Sequence, residues 1–382
     1  MRLLLSCAEP SGDLYAGALT TELRALVPGL SIAGMGGPRF AAAGGTLLED
    51  YRDLSVTGLA EALPKLRKFF AKQRHLVEYA RAERPDALVL LDAPDTNLRL
   101  AGAVRRVAPV IPVIYYISPQ IWAWRSGRLA TIRRLVDQML VIFPFEEAIY
   151  RDAGVAVEFV GHPLVDLAVP SQPREPFLRG LGLDPRAKTV AVLPGSRSNE
   201  VARILPELLA ACRLLAARVP GVQVVVARAP ELHDRLFIPC REAGGLTILL
   251  VEGETDAVLA SADVALTASG TATVQAALHE TPMVVVYRLS PLTYTVGRRL
   301  VTVDTFAMVN LIAGERIVPE LIQDAFTAEA VADEAVSLLT DADRVRAVRQ
   351  SLGRVRAKLG GHGASRRAAE AVVDAVRRQA VR

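Results

Sequence analysis

Short apolar runs alternate with longer stretches of helical spacing along the first half of the chain. Arg2–Cys7, Ala87–Leu91, Val110–Ile117 and Met139–Phe143 read as strands buried on both faces. A further strand is predicted at Glu158–Val160. Leu14–Leu26, Leu59–Ala82 and Asn97–Val107 carry apolar residues at helical intervals, which gives the βαβ pattern of a parallel sheet covered by helices. The alternation breaks over 166–188, where Pro170, Pro173, Pro176 and Pro185 stand among polar residues. It restarts at Thr189–Leu193, followed by predicted strands at Val222–Ala227, Thr247–Leu250, Val264–Thr267 and Met283–Tyr287. The expected architecture is α/β, with two Rossmann-like doubly wound domains in tandem over 1–168 and 169–345. Carboxyl-terminal helices over 346–382 either pack back on the first domain or serve the subunit interface of a homodimer. Ligands of such sheets bind at the carboxyl ends of strands, so an interdomain cleft is the expected site.

Composition narrows the class. The 382 residues are 51% hydrophobic, yet the longest stretch without charge, Val107–Trp124, is interrupted by Pro109, Pro112 and Pro119 and does not read as a membrane span. The opening Met-Arg-Leu-Leu-Leu-Ser-Cys-Ala looks like a signal peptide, but its apolar part stops at Glu9-Pro10 and fits a first strand better. Three widely spaced cysteines, Cys7, Cys212 and Cys240, suggest a reducing compartment and a cytoplasmic location. The net charge of +4 is unevenly distributed. Residues 59–84 carry seven Lys/Arg against three Glu, and residues 341–382 carry eleven against four acids. Such segments suit anionic lipid, phosphate ligands or nucleic acid, or are simply solvated helix faces. Few aromatics accompany them beyond Phe69, Phe70 and Tyr79, so nucleic acid is not expected as a partner.

Candidate chemistry gathers in the loops after strands. Ala8-Glu9-Pro10-Ser11-Gly12-Asp13 follows the first strand, with Gly12 suited to a tight turn, Ser11 or Asp13 to a helix cap, and Glu9 facing the expected cleft. It is not the dinucleotide-binding G-x-G-x-x-G motif. Asp92 sits directly at the end of Ala87–Leu91 and is the better general-base candidate, whereas Asp95 or Asn97 suits the cap of the next helix. Ser118–Arg125 places Trp122 and Trp124 in one loop, fitted either to line a cleft or to pack at a domain edge. His162 is either a hinge or cleft residue or a histidine held structurally near its turn. In Pro194-Gly195-Ser196-Arg197, small residues let backbone amides approach an anion, and Arg197 offers a guanidinium fork. Ser269-Gly270-Thr271 opens another helix, with Ser269 or Thr271 as its cap and its dipole favouring phosphate. Two such loops in one domain indicate a nucleotide diphosphate site. Dispersed histidines and the lack of Cys-x-x-Cys leave metal chemistry without support, and no G-x-S-x-G elbow suggests a hydrolase.

In order along nearly the whole chain, these motifs are Ala8–Asp13, Asp92–Asp95, Ser118–Trp124, Gly161-His162-Pro163-Leu164-Val165-Asp166, Leu193–Arg197 and Ala268–Ala272. With Asn310-Leu311-Ile312-Ala313-Gly314 they resemble the lipid-A-disaccharide synthase family. The resemblance implies a GT-B-type inverting glycosyltransferase without metal or other cofactor. It would join UDP-2,3-diacylglucosamine to 2,3-diacylglucosamine 1-phosphate, giving a β-1,6-linked disaccharide phosphate and UDP. It also implies that the first domain binds the acceptor and the second the UDP-sugar. Asp92 corresponds to the family's essential acidic residue, and Glu9, Arg197 and Asn310 to functionally important positions. The implied substrate and nucleotide contacts are Ser11, His162, Ser196, Arg197, Ser269, Gly270, Thr271, Gln275 and Asn310. Asp92 fits the base that deprotonates the acceptor hydroxyl, with Glu9 as the competing assignment. Arg197 and the helix opening at Ser269–Thr271 fit the stabilisation of departing UDP in place of a metal. The chain departs from the family pattern at Ala8, where glycine is usual, and at Pro10, where a small residue is. It departs again at Gln275, which stands where glutamate is typical and keeps the hydrogen bonds to sugar hydroxyls without the charge.

The basic segment then acquires a meaning. Leu63, Leu66, Phe69, Phe70 and Leu76 lie among Lys65, Arg67, Lys68, Lys72 and Arg74. Such a stretch suits an anionic membrane surface, with Leu63, Phe69 and Phe70 as acyl contacts and a peripheral location on the inner membrane. Packing into the core is the plain alternative. The competing functions are a UDP-sugar epimerase, a related transferase with another acceptor, or a UDP-binding membrane adaptor without catalysis.

Overall fold

Strands of a parallel sheet covered on both faces need apolar side chains on both sides, and Leu3–Leu5, Leu88–Leu91 and Val113–Tyr116 supply them, all fully buried. The computed structural model describes residues 1–54, 62–121, 127–230, 232–241, 246–288 and 305–380. Trp122 and Trp124 lie outside the described residues, as does the side chain of Leu63.

Seven strands form the first sheet: β1 (Arg2–Cys7), β2 (Ser31–Gly36), β3 (Thr46–Asp50), β4 (Ala87–Leu91), β5 (Val113–Tyr116), β6 (Gln138–Val141) and β7 (Val157–Phe159). They lie parallel in the order β3-β2-β1-β4-β5-β6-β7. Six form the second: β8 (Thr189–Leu193), β9 (Gln223–Arg228), β10 (Ile248–Glu252), β11 (Val264–Ala268), β12 (Met283–Tyr287) and β13 (Glu320–Ile322). Their parallel order is β10-β9-β8-β11-β12-β13, so the second sheet repeats the winding of the first. Each sheet starts in its middle, winds outward, then returns and winds the other way. The reversal falls between β1 and β4 in one sheet and between β8 and β11 in the other. β2, β3 and β13 were not among the predicted strands.

The chain divides into two compact units, Met1–Asp166 with Leu359–Arg382, and Leu167–Lys358. The helix Ala342–Lys358 belongs to the second unit, where Lys358 Nζ donates to the Ile312 and Ala313 carbonyls at 3.1 and 2.8 Å. The helix Ala364–Ala380 belongs to the first and packs against the helix Pro10–Leu26, with Ala368, Ala369, Val372 and Val376 buried. Asp166 secures its start by accepting from the backbone N–H groups of Gly363 (2.9 and 3.0 Å) and Ala364 (2.9 Å). His362 Nδ1 lies 3.0 Å from the same carboxylate. The closing aspartate of the Gly161–Asp166 motif is therefore a helix cap. Among the described residues no helix is long and apolar enough to cross a membrane.

Candidate active site

Cys7 pairs with Leu91, so β1 and β4 end side by side and the chain leaves the sheet at Ala8 and at Asp92. This is the switch point of the first sheet, where open α/β sheets bind their ligands. Glu9, Ser11 and Asp92 are thereby brought to one sheet end. Both following helices begin at once, at Pro10 and Pro94, because proline at the first helical position gives up an N–H that has no partner there anyway. Glu9 and Ala93 are consequently N-cap residues, and Ser11, Gly12 and Asp13 form a first turn instead of a loop.

Neither Ser11 nor Asp13 caps that helix, which corrects the expectation. Asp13 is buried and turned to the start of the short helix Pro38–Ala42 that follows β2, where it accepts from Gly37 (2.7 Å), Arg39 (3.0 Å) and Phe40 (3.1 Å) backbone N–H groups. Gly12 serves close packing, not a turn: a Cβ there would stand 3.1 Å from Cys7 Cβ.

Asp92 and Ala93 are consecutive non-glycine residues with φ of +48° and +43°. Each such conformation costs on the order of 1–3 kcal/mol, and Ala93 is further restricted by preceding Pro94. The turn persists because its polar groups are held. Asn97, also expected as a cap, instead donates back through Nδ2 to the Leu91 and Asp92 carbonyls at 2.9 and 2.8 Å. Asp95 pairs with the Arg128 guanidinium.

His162 follows β7 and is buried, at 2% exposure. Its Nδ1 accepts the Leu164 N–H at 3.1 Å, and its ring lies edge-on to Tyr15 (6.3 Å) and tilted against Phe143 (5.4 Å). Burial lowers its pKa to about 3, so the ring is neutral and locked in its turn. The unfolded chain binds this proton near pH 6.5 and the native fold only near 3. Stability from this group is therefore complete above pH 6.5 and is lost progressively on acidification. Urea unfolding at pH 6.5 and pH 5 should show the parent losing about 2 kcal/mol more than His162→Gln. Equal losses in both proteins would refute the neutral buried ring.

The second switch point repeats the arrangement. Leu193 pairs with Thr267, so the segments 194–197 and 269–271 leave the sheet next to each other. Gly195 has φ +119°, and a Cβ there would lie 2.8 Å from Glu200 Oε2. With glycine in place, Glu200 Oε1 accepts from Arg197 Nη1 at 3.2 Å, which steadies a guanidinium whose side chain is 64% exposed. Ser196 is exposed beside it.

Gly270 is the N-cap of the helix Thr271–Leu278, and no side chain caps it. Thr271 is its first residue, and the Ser269 hydroxyl donates to the Phe306 carbonyl at 2.9 Å. The capping expected of these two is thus not made. The chain continues from there: Phe306 and Ala307 N–H donate to Glu320 at 2.8 and 3.0 Å, and Glu320 Oε1 accepts from Asn310 Nδ2 at 2.7 Å. Asn310 also donates to the Val318 carbonyl (3.0 Å) and accepts from the Ile317 and Val318 N–H groups at 2.9 and 3.1 Å. Its amide is saturated by the chain and braces the segment 305–318.

Gln275 Nε2 donates to both oxygens of Asp256, at 3.1 and 3.2 Å, and His279 Nε2 stands 3.0 Å from Asp256 Oδ1. A glutamate at 275 would set two carboxylates against each other, whereas the amide donates. The negative charge missing from position 275 is one hydrogen bond away. Nothing in the sequence pattern signalled Asp256 or Glu320.

No cluster of three or more His, Cys, Asp or Glu residues suited to a metal occurs among the described residues. A cavity of about 690 Å³ lies at the amino ends of β8 and β11, lined by Lys188, Asp263, Glu280, Leu339 and Arg349 among others, and no expected site residue borders it. On the helix Ala62–Glu83, Leu76 and Ala80 are buried while Arg67, Lys68 and Arg74 are exposed and Phe70 is 49% exposed. Phe69 is half-buried, edge-on to Phe70 at 5.4 Å. Lys72 is paired with Glu49 (2.6 Å) and Asp53 (3.0 Å).

A family model described as lipid-A-disaccharide synthetase matches residues 3–376. The lipid-A-disaccharide synthase of Myxococcus xanthus is 45% identical over 374 residues, covering 98% of this chain and 97% of its own. That of Geobacter metallireducens is 43% identical over 373 residues, with the same coverage. Among solved structures, a UDP-GlcNAc 2-epimerase from Neisseria meningitidis bound to UDP-GlcNAc aligns with TM-score 0.71 at 11% identity, over 98% of this chain and 100% of its own. A calicheamicin glycosyltransferase aligns with TM-score 0.60 at 18% identity, over 98% of both chains. At such identities the likeness is one of fold, that of GT-B proteins built from two Rossmann-like units.

Proposed function

The chain belongs to the lipid-A-disaccharide synthetase family, and from that premise we propose how its residues carry the reaction. It is a glycosyltransferase of lipid A biosynthesis that uses a UDP-sugar. In the proposed reaction, 2,3-diacylglucosamine passes from its UDP derivative to 2,3-diacylglucosamine 1-phosphate. Asp92 takes the proton of the acceptor 6-hydroxyl as that oxygen attacks the anomeric carbon from the face opposite UDP, which inverts the centre. Arg197, with Ser196 beside it, and the open amino end of the helix Thr271–Leu278 take up the charge developing on the diphosphate as the C–O bond breaks. Ser269 and Gly270 shape that helix end, and Gln275 with Asp256 offers hydrogen bonds to the sugar hydroxyls of the nucleotide. The first unit would hold the acceptor and the second the UDP-sugar.

One observation supports the base assignment above the rest: Asp92 occupies the switch-point end of β4 in a strained turn that buried groups hold in place. Glu9, at the neighbouring strand end, is the alternative base. The epimerase reading has only fold neighbours of low identity behind it. Incubation with both diacylated substrates, followed by mass analysis of the lipid, tests the reaction. One UDP per disaccharide 1-phosphate is expected; sugar conversion without UDP release would favour an epimerase.

The helix Ala62–Glu83 is proposed to dock on anionic lipid at the inner membrane, with Phe69 and Phe70 entering the acyl region beside Arg67, Lys68 and Arg74. The exposed Phe70 among these cations supports this reading. Phe69→Ser/Phe70→Ser should lower cosedimentation with vesicles containing about one third anionic lipid by roughly tenfold, with the melting temperature nearly unchanged. Undiminished cosedimentation would refute it.

A further inference from the structure

The Asp92 main-chain carbonyl accepts two partly buried hydrogen bonds, from Asn97 Nδ2 at 2.8 Å and from the Tyr115 hydroxyl at 2.6 Å. Asn97 is itself oriented by Ser6, whose hydroxyl donates to Asn97 Oδ1 at 2.8 Å, while Asn97 Nδ2 also approaches the Ser6 carbonyl at 3.3 Å. Ser6, Asn97 and Tyr115 are fully buried and come from three elements: β1, the helix Pro94–Val107 and β5. Both lone pairs of the Asp92 carbonyl are thus occupied, which fixes the plane of the 92–93 peptide. That plane and the positive φ of Asp92 together set the direction of its Cα–Cβ bond.

We propose that Ser6, Asn97 and Tyr115 are positioning residues that aim the Asp92 carboxylate, by holding the left-handed Asp92–Ala93 turn through the Asp92 carbonyl. The proposal rests on the reading of Asp92 as the base. Strained backbone of this kind persists only where its surroundings over-determine it, and three buried polar side chains converging beside one strand end do so. An apolar core would have stabilised the same sheet without polar groups to satisfy. The hydroxyl of Tyr115 stays a donor, because burial, and after it the Asp92 charge, pushes its pKa up. When the Tyr115 bond is lost the carbonyl keeps one partner, the peptide tilts, and the carboxylate leaves the line to the acceptor hydroxyl; small misplacements of a reacting group are costly in rate.

Tyr115→Phe removes one oxygen and keeps the ring, and Ser6→Ala acts on Asp92 only through Asn97. Turnover by Tyr115→Phe should fall by roughly tenfold and by Ser6→Ala by about threefold. KM for both substrates and the melting temperature should stay close to the parent. Turnover by Tyr115→Phe within twofold of the parent overturns the proposal, as does a loss that appears in KM or follows a lowered melting temperature. Asp92→Asn, assayed alongside, separates the two readings: retained turnover there removes the base assignment itself. Lost turnover in Asp92→Asn with an unaffected Tyr115→Phe removes the positioning role alone.

Discussion

Asp92→Asn is expected to lower turnover roughly a thousandfold while leaving UDP-sugar affinity within a few-fold of the parent. A positioned general base contributes about 10²–10⁴ to rate, and the amide keeps the size and polarity of the carboxylate while losing its ability to take a proton. The melting temperature should stay close to the parent's, because the Asp92 main-chain carbonyl, which accepts from Asn97 and Tyr115 in the Asp92–Ala93 turn, is kept in the variant. Initial rates of UDP release, with affinity measured by calorimetry, check both parts. If Asp92→Asn retains turnover while Glu9→Gln loses it, the base is Glu9, at the adjoining strand end. A variant that binds UDP-sugar but forms no disaccharide also disposes of the non-catalytic adaptor.

Arg197→Ala is expected to lower turnover by about 10²–10³, the usual cost of removing one donor to a charge that develops in the transition state. Its effect on stability should be small, because the ion pair with Glu200 is made by a largely exposed guanidinium and such pairs contribute little. The two outcomes together are diagnostic: a large loss in rate with an unchanged melting temperature marks a group acting on the leaving diphosphate. Arg197→Lys, which keeps the charge and loses the planar fork, should lie between the two. A rate loss matched by a fallen melting temperature would assign Arg197 to structure instead.

The inner strands were legible because burial on both faces leaves a continuous apolar run; β1, β4, β8 and β12 begin and end where the runs do. The missed strands lack that signature. β2 reads Ser-Ile-Ala-Gly-Met-Gly, with small residues where the chain packs closely: a Cβ on Gly34 would lie 1.8 Å from the Leu5 carbonyl oxygen. β3 and β13 are edge strands, half exposed and carrying acids, and so look like loop. The helices predicted from Leu14 and Asn97 start earlier in the structure, at Pro10 and Pro94, for a single reason. Pro10 and Pro94 read as loop residues, yet proline belongs at the first helical position. Sequence also marked which loops reach the sheet ends, since a polar residue directly after a buried run has nowhere else to be. It left the fate of each side chain open. Asp13, His162 and Asn310 have the chemistry of binding groups, and each also makes hydrogen bonds within its own unit, Asn310 to the Glu320 carboxylate as well as to main-chain atoms. The bracket on Asp92 was hidden because Ser6 and Tyr115 lie inside apolar runs and are distant in sequence from the residue they serve.

Asp166 and the helix it caps also set an order of events at birth. The first unit takes its final helix from Ala364–Ala380, after all 192 residues of the second unit, Leu167–Lys358, have been made. At about 5–20 residues per second, that interval lasts roughly 10–40 s. Throughout it, the face of Pro10–Leu26 that later receives Ala368 and Val372 has no cover from its own chain. The unit whose first strand is made earliest is therefore the one completed last, and until then the helix Pro10–Leu26 lacks the partner that later packs on it.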